Sequence, residues 1–294
     1  MGRKMKVQIF GAGAIGCLFG YFIQKAGFDV VFVARGKQLE ALQKELRITG
    51  LIDDSISIDA RRYACKADVT FVTVKSYDTQ TAAEQLAGKT EVVCTVQNGI
   101  GNEDILTEKV DNVVGGVTSY AANLVDYGVV CYAGEGITYL GDWKGEGASV
   151  VAEILKKAGM NVEVVEDIER KKWEKAVINA TINPLTALLR VENGKIVEIE
   201  DVWNVAESIA KECEEVMKAM GYKLNAVELV REVATKTARN RSSMLQDIER
   251  GRRTEIEAIT GEIVRKAKEL GVETPVNELM LRLVRGLECS ILSS

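Results

Sequence analysis

KVQIFGAGAIG, residues 6–16, decides the fold of this chain, because an apolar strand pattern leads directly into a glycine-rich turn and a helical pattern. In such a unit Gly11 makes the tight turn, Gly13 lets a pyrophosphate approach the backbone, and Gly16 allows close helix–strand packing. The N-terminus of the helix then faces the anion. A second apolar strand follows at residues 29–34. We therefore predict a Rossmann-like, doubly wound α/β sheet that binds a dinucleotide. The alternative is a glycine-rich turn without a nucleotide.

The residues after the second strand bear on the choice of nicotinamide cofactor. An acidic side chain there would hydrogen-bond the adenosine ribose, whereas this chain has Ala34-Arg35-Gly36-Lys37. Arg35 offers a planar fork suited to a 2′-phosphate, and Lys37 adds a point charge nearby. The prediction is NADPH, with NADH left open. In the alternative interpretation both residues are solvated charges of a loop.

The composition of the 294 residues favours a two-domain enzyme over a nucleic-acid-binding or membrane protein. Its 38 basic and 43 acidic residues leave a net charge of −5, and no basic tract is interleaved with aromatics. No apolar run is long enough to span a membrane, and no secretory signal is recognised. We expect a cytoplasmic protein with no nucleic-acid or membrane partner, and a homodimer stays open.

Histidine is absent, which excludes Ser-His-Asp and Cys-His catalysis and any imidazole proton relay. Proton transfer therefore falls to Lys, Glu, Asp, Tyr or Cys. The six cysteines lie far apart without C-x-x-C spacing. We predict no metal site and no disulfide framework.

Strand and helix patterns alternate in the first half of the chain, and helical patterns fill the second. We predict a dinucleotide-binding domain at residues 1–167 and an all-helical substrate domain at 168–294. The further strands are expected at 69–74, 91–96, 113–117 and 162–165, and the helices between them at 79–87, 103–109 and 150–158. Short strands between 119 and 140, with turns at 123–128 and 133–136, are interpreted as an antiparallel addition to the sheet. In the second domain Gly221 and Gly271 are expected to stop helices, and Pro275 to lie near the start of the last one.

Lys175, Asn179 and Asn183 are spaced by four residues in the first helical segment of the second half. Steps of four drift only about 40° around a helix axis, so these side chains form a polar ridge about 12 Å long. Their neighbours are mostly small or apolar, which predicts a mostly buried helix whose ridge faces polar partners. A buried lysine beside amides suits a carbonyl oxygen that gains charge and a proton, and the alternative is a stripe that reaches solvent. Pro184 is expected to interrupt and kink this helix.

Eight blocks spread along the chain share one family's order: residues 11–16, Val74–Tyr77, Gln97–Gly101, Trp173–Lys175, Ile182–Ala187, Glu192–Gly194, Ser242–Asp247 and Arg253–Ile256. In these blocks the sequence resembles the ketopantoate reductases (2-dehydropantoate 2-reductases). One departure is Gln97, where many members have histidine, which leaves the shape of that loop open.

The resemblance implies reduction of a small 2-oxo acid, 2-dehydropantoate, to (R)-pantoate with NADPH, on the way to pantothenate and coenzyme A. It assigns the general acid to Lys175, with Glu255 near the reacting end. The positions that match the family's cofactor site are Gly11, Ala12, Gly13, Ala14, Ile15, Gly16, Arg35, Lys75, Asn98, Ala122 and Glu255. The positions that match its substrate site are Asn98, Lys175, Asn179, Asn183, Asn193, Asn240 and Ser243. From the residues alone, Asn193 before Gly194 is equally a turn residue, and Ser242-Ser243 is equally a helix cap.

Two other functions stay open at this point. One is a reductase of another branched 2-oxo or 3-hydroxy acid, and the other is a non-catalytic NADPH sensor. The intact Lys175 with its two amides argues against the sensor.

Cys94 lies on a predicted strand that leads into the Asn98 loop, and period-two alternation puts it on the same side as Val96 and Asn98. Ligands of such sheets bind beyond the carboxyl ends of the strands. We therefore hypothesise a regulatory thiol that pairs with coenzyme A, the end product of the implied pathway. The alternative is a buried, inert core cysteine.

Overall fold

A computed structural model of the chain describes residues 4–292. Its strands are β1 (Lys6–Phe10), β2 (Asp29–Val33), β3 (Leu46–Gly50), β4 (Asp54–Ile56), β5 (Asp59–Arg61), β6 (Ala67–Val72), β7 (Thr90–Thr95), β8 (Val113–Thr118), β9 (Ala121–Asp126), β10 (Val129–Gly134), β11 (Thr138–Lys144) and β12 (Val162–Val164). Its α-helices are α1 (Ala14–Lys25), α2 (Gly36–Leu42), α3 (Thr79–Leu86), α4 (Asn102–Thr107), α5 (Ala148–Lys157), α6 (Ile168–Leu189), α7 (Lys195–Glu198), α8 (Glu200–Ala219), α9 (Ala226–Lys236), α10 (Ser243–Glu249), α11 (Glu262–Leu270) and α12 (Pro275–Leu292). A 3₁₀ turn spans Ser76–Asp78, and a π-helical turn spans Glu257–Gly261.

The main sheet has eight strands in the order β12-β11-β8-β7-β6-β1-β2-β5. All neighbours pair in parallel except β11 with β8, which are antiparallel. The strand order runs outward in both directions from the β1–β6 pair, which is the switch point where doubly wound sheets bind ligands. This topology confirms the predicted doubly wound α/β fold.

Close packing of α1 on this sheet depends on glycine. A Cβ atom added to Gly20 would lie 2.3 Å from the ring of Phe32, so only a hydrogen fits there. Phe19, from the same helix, meets Phe71 of β6 edge to face, with ring centroids 6.1 Å apart. Both phenylalanines are fully buried. The helix that begins at the glycine turn is therefore anchored by apolar burial along its length.

The predicted antiparallel addition is wrong in its placement. The strands β9 and β10 pair in a separate four-stranded sheet of order β4-β3-β10-β9, and only β11 joins the main sheet. Residues 123–126, predicted as a turn, belong to β9, because pairing with β10 overrides their turn-like composition. The strands β3, β4 and β5 were not expected from the sequence. They are only three to five residues long, and β4 and β5 contain no buried residue, so the hydrophobic alternation that marks a strand is short or missing.

Residues 168–292 form helices and their connections without a strand, as predicted. The expected interruption at Pro184 is wrong, because the 22-residue helix α6 continues past it to Leu189. Burial of Leu185 and Ala187 beyond the proline offsets its missing N–H donor. Gly271 ends α11 at a φ of +71°, and Pro275 is the first residue of α12, both as predicted.

The chain divides into two compact units. One extends to Gln97 and continues from Asn102 to Glu169, and the other comprises Asn98–Gly101 and begins again at Arg170. The division into a dinucleotide-binding domain at residues 1–167 and a substrate domain at 168–294 stays a prediction. No helix within residues 4–292 is long and apolar enough to cross a membrane.

Candidate active site

The three glycines of the turn differ in what surrounds them. A Cβ atom at Gly11 would lie 2.5 Å from the amide nitrogen of Val74, and Gly11 also has a φ of +107°. At Gly16 a Cβ atom would lie 2.3 Å from the carbonyl oxygen of Gly11. At Gly13 a Cβ atom would meet nothing within 4 Å. Gly11 and Gly16 are therefore required for packing, whereas Gly13 keeps space free beside the backbone.

That space lies at the N-terminus of α1. Gly13 is the N-cap residue, no side chain caps the helix, and its first turn contains no acidic residue. A helix end of this kind offers backbone N–H donors and the positive end of the helix dipole to an anion. The turn therefore fits a phosphate group.

Residues that the motif does not include hold the turn in place. The N–H groups of Gly11 and Ala12 donate to the carbonyl of Val33, at 3.1 and 3.2 Å. Thr73 Oγ1 donates to the carbonyl of Gly11 at 2.6 Å, and Gln38 Nε2 donates to that of Ala12 at 2.7 Å. These supports come from β2, α2 and the end of β6. The sequence does not predict these supporting residues, because no local pattern distinguishes them from their neighbours.

Arg35 lies just after β2, as predicted, and its side chain is 78% exposed. Its Nη2 atom contacts Asp78 Oδ2 at 2.6 Å, in the 3₁₀ turn that follows Lys75. The ion pair brings Arg35 beside the segment that carries Lys75 and leaves other guanidinium donors for a ligand. Ala122 lies on β9 opposite Tyr132, half-buried.

Gln97, the departure from the family pattern, is buried and has hydrogen-bond partners at both ends of its amide. Its Nε2 atom donates to the carbonyl of Val74 at 2.8 Å and to Thr79 Oγ1 at 2.9 Å. Its Oε1 atom accepts from Thr95 Oγ1 at 2.9 Å. Gln97 therefore fixes the end of β7 through hydrogen bonds to uncharged partners. It holds the N-terminal side of the Asn98 loop in place.

The Asn98 loop packs within the second unit. The N–H of Ile100 donates to the carbonyl of Ala258 at 2.9 Å, in the π-helical turn. Gly99 has a φ of +85°, and a Cβ atom there would lie 2.6 Å from that same carbonyl oxygen. The loop carrying Asn98 is thereby attached to the turn that follows Glu255.

Lys175, Asn179 and Asn183 all lie on α6, as their spacing predicts. Lys175 and Asn179 are half-buried, and Asn183 is buried. The helix buries Trp173, Val177 and Ala180 on other sides. The mostly buried helix with a polar ridge is therefore confirmed, and the ridge is not a solvent-facing stripe.

The pKa of Lys175 is lowered to about 8, mainly by desolvation in the surrounding protein and also by the nearby ammonium of Lys172. The carboxylate of Glu255 acts in the opposite direction and favours the charged form. Lys172 is only 3% exposed, although in the run Glu169–Lys172 it looks like one more surface charge. An amine with a pKa near 8 both stays largely protonated at neutral pH and releases its proton readily.

Glu255 is 7% exposed and precedes the π-helical turn. Turns of this kind are rare and recur at functional sites. The N–H of Gly261 donates to the carbonyl of Ile256 at 3.0 Å, which is the five-residue spacing that defines the turn. The residue that supports the charge of Lys175 therefore lies on irregular backbone.

Asn193 contributes an unpaired acceptor. Its Nδ2 atom donates to Thr237 Oγ1 at 2.9 Å, but its Oδ1 atom is buried without a hydrogen-bond partner. Its N–H donates to the carbonyl of Asn240 at 3.0 Å, so these two asparagines are brought together. A buried carbonyl oxygen without a donor costs free energy unless a ligand supplies one.

The serine pair at the start of α10 has two different roles. Ser242 is the N-cap and accepts from the N–H of Leu245 at 3.1 Å, so the helix-cap interpretation holds for Ser242. Its Oγ atom also lies 2.7 Å from Thr186 Oγ1, which ties α10 to α6 three residues after Asn183. Ser243 is exposed and free of the capping role.

Cys94 is fully buried on β7, within the apolar core of the first unit. This position favours the interpretation as a core cysteine. Within residues 4–292, no group of three or more His, Cys, Asp or Glu side chains is arranged to hold a metal ion.

Comparison with known proteins identifies the family. The family model described as ketopantoate reductase PanE/ApbA matches residues 7–145, and the model of its C-terminal part matches residues 167–288. The chain is 54% identical to a 2-dehydropantoate 2-reductase of Archaeoglobus fulgidus, over 98% of this chain and 100% of that protein.

Two solved structures share the fold over nearly the whole chain. A PanE/ApbA family ketopantoate reductase from Ralstonia eutropha superposes with a TM-score of 0.90 at 31% identity, covering 98% of this chain and 99% of that one. D-mandelate dehydrogenase, in a ternary structure with NADH and anilino(oxo)acetate, superposes with a TM-score of 0.91 at 25% identity over the same shares. On the two family models and the full-length relative, this chain belongs to the ketopantoate reductase family.

Proposed function

We propose that this protein reduces 2-dehydropantoate to (R)-pantoate with a nicotinamide cofactor, on the way to pantothenate and coenzyme A. The observation that carries the proposal is Lys175, whose pKa is lowered to about 8 on the helix that also presents Asn179 and Asn183. The names of the full-length relatives support the same activity.

The residues around the first glycine turn fit the cofactor. The free space at Gly13 and the uncapped end of α1 suit the pyrophosphate, and Arg35 suits a 2′-phosphate. We propose that Gly11, Ala12, Gly13, Ala14, Ile15, Gly16, Arg35, Lys75, Asn98, Ala122 and Glu255 hold it, with NADPH preferred over NADH. The bound cofactor would supply the hydride for the 2-oxo carbon.

Lys175 is the proposed proton donor. Reduction of a 2-oxo group leaves negative charge on the oxygen, and an ammonium beside that oxygen both stabilises the charge and delivers the proton. Glu255 keeps Lys175 charged before the reaction. Because the amine has a low pKa, loss of its proton costs little.

The substrate acid is proposed to bind Asn98, Asn179, Asn183, Asn193, Asn240 and Ser243 along with Lys175. Asn193 Oδ1 supports this assignment, because it is a buried acceptor that lacks a donor and 2-dehydropantoate carries a hydroxyl group. The carboxamide N–H groups and the hydroxyl of Ser243 suit its carboxylate.

A panel of substrates tests the proposal. NADPH oxidation is followed by absorbance with 2-dehydropantoate, other branched 2-oxo acids and aromatic 2-oxo acids. We expect kcat/KM to be highest for 2-dehydropantoate. A higher value for another acid would favour the second candidate function, a sister reductase, for which the fold shared with D-mandelate dehydrogenase is the specific observation.

Two further statements are proposals with separate tests. We propose a cytoplasmic location and a homodimer, which cell fractionation and sedimentation would examine. Feedback by coenzyme A through Cys94 stays a hypothesis from the sequence that we do not propose, because full burial of that thiol argues against it.

A further inference from the structure

Glu255 has no helix of its own to hold it. It lies in the irregular segment between α10 and the π-helical turn, yet it is only 7% exposed. Behind it, the N–H of Ile259 donates to the carbonyl of Glu255 at 3.1 Å. In front of it, Thr254 Oγ1 accepts from the N–H of Ile256 at 3.1 Å. These two bonds are local and do not attach the segment around Glu255 to the rest of the second unit.

The last helix supplies one attachment of this segment. Glu288, on α12, accepts the backbone N–H of Thr254 through Oε1 at 2.6 Å. Both partners are buried, with 9% of Glu288 and 2% of Thr254 exposed. A hydrogen bond from a buried backbone N–H to a carboxylate is among the stronger kinds, and its loss leaves the N–H unsatisfied.

A second contact from α12 lies on the other side of Glu255. Arg285 donates to both carboxylate oxygens of Glu257, at 2.5 and 2.6 Å. This pair is about half exposed, so solvent screens it and its contribution is small. Arg285 also bears electrostatically on Glu288, and Arg253 bears on Glu257. Of these two contacts from α12, the buried one of Glu288 is therefore the stronger hold on the segment.

We propose that Glu288 is a positioning residue, which holds the backbone at Thr254 so that the carboxylate of Glu255 stays beside Lys175. Glu288 acts through Glu255 rather than on Lys175 itself, because the charges that bear on Lys175 are those of Lys172 and Glu255. The role of this arrangement in catalysis rests on the proposed function. The effect of Glu288, through Glu255, on the ionisation of Lys175 does not.

The test measures the ionisation of Lys175 without any substrate. The protein is treated with limiting acetic anhydride between pH 6 and 10, which labels only the neutral amine, and labelling of Lys175 is read by peptide mass spectrometry. In Glu288→Leu we expect the Lys175 titration midpoint to fall by about 0.5 to 1 pH unit, because a displaced Glu255 supports the ammonium less. Glu288→Gln keeps an acceptor oxygen for the N–H of Thr254 and should restore most of the midpoint.

Further variants separate positioning from general damage. Glu278→Leu removes another carboxylate of α12, one that pairs with Lys268 and Arg282, and should leave the midpoint unchanged. In a Glu255→Gln background, Glu288→Leu should cause no further shift. If Glu288→Leu does not fold, Glu288→Asp keeps the charge but withdraws the acceptor by one methylene and should lower the midpoint in the same direction.

An unchanged midpoint in a folded Glu288→Leu or Glu288→Asp protein would overturn the inference, as would an equal shift in the Glu255→Gln background. Failure of the proposed function looks different, because the labelling shift would appear while 2-dehydropantoate is not reduced.

Discussion

A proton donor must stay protonated before the reaction and yet release its proton readily, and Lys175 meets both requirements. Desolvation and the Lys172 ammonium weaken its hold on the proton, while Glu255 keeps the charged form populated, and the result is a pKa of about 8. The sequence predicts Lys175 from its spacing to two asparagines. It does not predict Lys172, because burial of one lysine in a charged run depends on packing that no local pattern records.

Replacement of Lys175 by alanine should lower kcat by roughly 10² to 10⁴-fold, the usual effect of removing a general acid. The affinity for NADPH, measured by fluorescence titration, should change little. In the unaltered enzyme the rate of reduction should decline as pH rises through about 8, because the acid form is lost there. Near-normal turnover in Lys175→Ala would assign the proton donor elsewhere.

Two neighbours of Lys175 should shift that pH dependence in opposite directions. Lys172→Gln removes a like charge, so the alkaline limb of kcat should move to higher pH. Glu255→Gln removes an opposite charge, so the limb should move to lower pH. Profiles measured under single-turnover conditions decide this, and a shift of both variants in one direction would contradict the electrostatic account.

Arg35 should determine discrimination between the two cofactors. Arg35→Ala should raise the Kd for NADPH by about 10 to 100-fold, the value of one or two charge-assisted hydrogen bonds, and should affect NADH little. Arg47→Ala is the matched control, since Arg47 is a largely exposed arginine paired with Asp53. Equal losses for NADPH and NADH would show that Arg35 does not bind the 2′-phosphate.

Among the secondary-structure elements, long helices with a clear hydrophobic period can be predicted from the sequence. Short strands that depend on a pairing partner cannot. The glycine turn, α1 and α6 follow from local patterns that agree with their tertiary packing. The strand β9 is held by its partner β10, and the side-chain amide of Asn193 donates to Thr237, 44 residues away. Pro184 stays helical because buried neighbours beyond it stabilise the turn. Pairing and packing at a distance therefore explain the errors.

The glycine turn itself offers a test that separates fold from binding. Gly13→Val should leave the free protein's Tm almost unchanged, because a Cβ atom there would meet nothing within 4 Å, but it should abolish stabilisation by NADPH. Gly16→Val should lower the Tm of the free protein, because its Cβ atom would lie 2.3 Å from the carbonyl of Gly11. Scanning calorimetry with and without NADPH measures both. Retention of full NADPH stabilisation in Gly13→Val would remove the phosphate from this position.

Across the whole molecule, the six cysteines differ in how deeply they are buried. Their burial should set their reactivity, and so it bears on feedback by coenzyme A. Cys17, Cys94 and Cys213 are buried, Cys65 and Cys131 are half-buried, and Cys289 is exposed. Desolvation raises the pKa of both Cys17 and Cys213 to about 12, so their thiolate forms are scarce at neutral pH.

We expect a thiol reagent to modify Cys289 first in the native protein, then Cys65 and Cys131, and to reach the buried three only after denaturation. Incubation with oxidised coenzyme A, followed by intact and peptide mass spectrometry, should therefore show no adduct at Cys94. Cys94→Ser and a reductant serve as controls. A reductant-sensitive adduct at Cys94 that forms in the folded protein and abolishes activity would instead require β7 to expose Cys94, and would establish the feedback site.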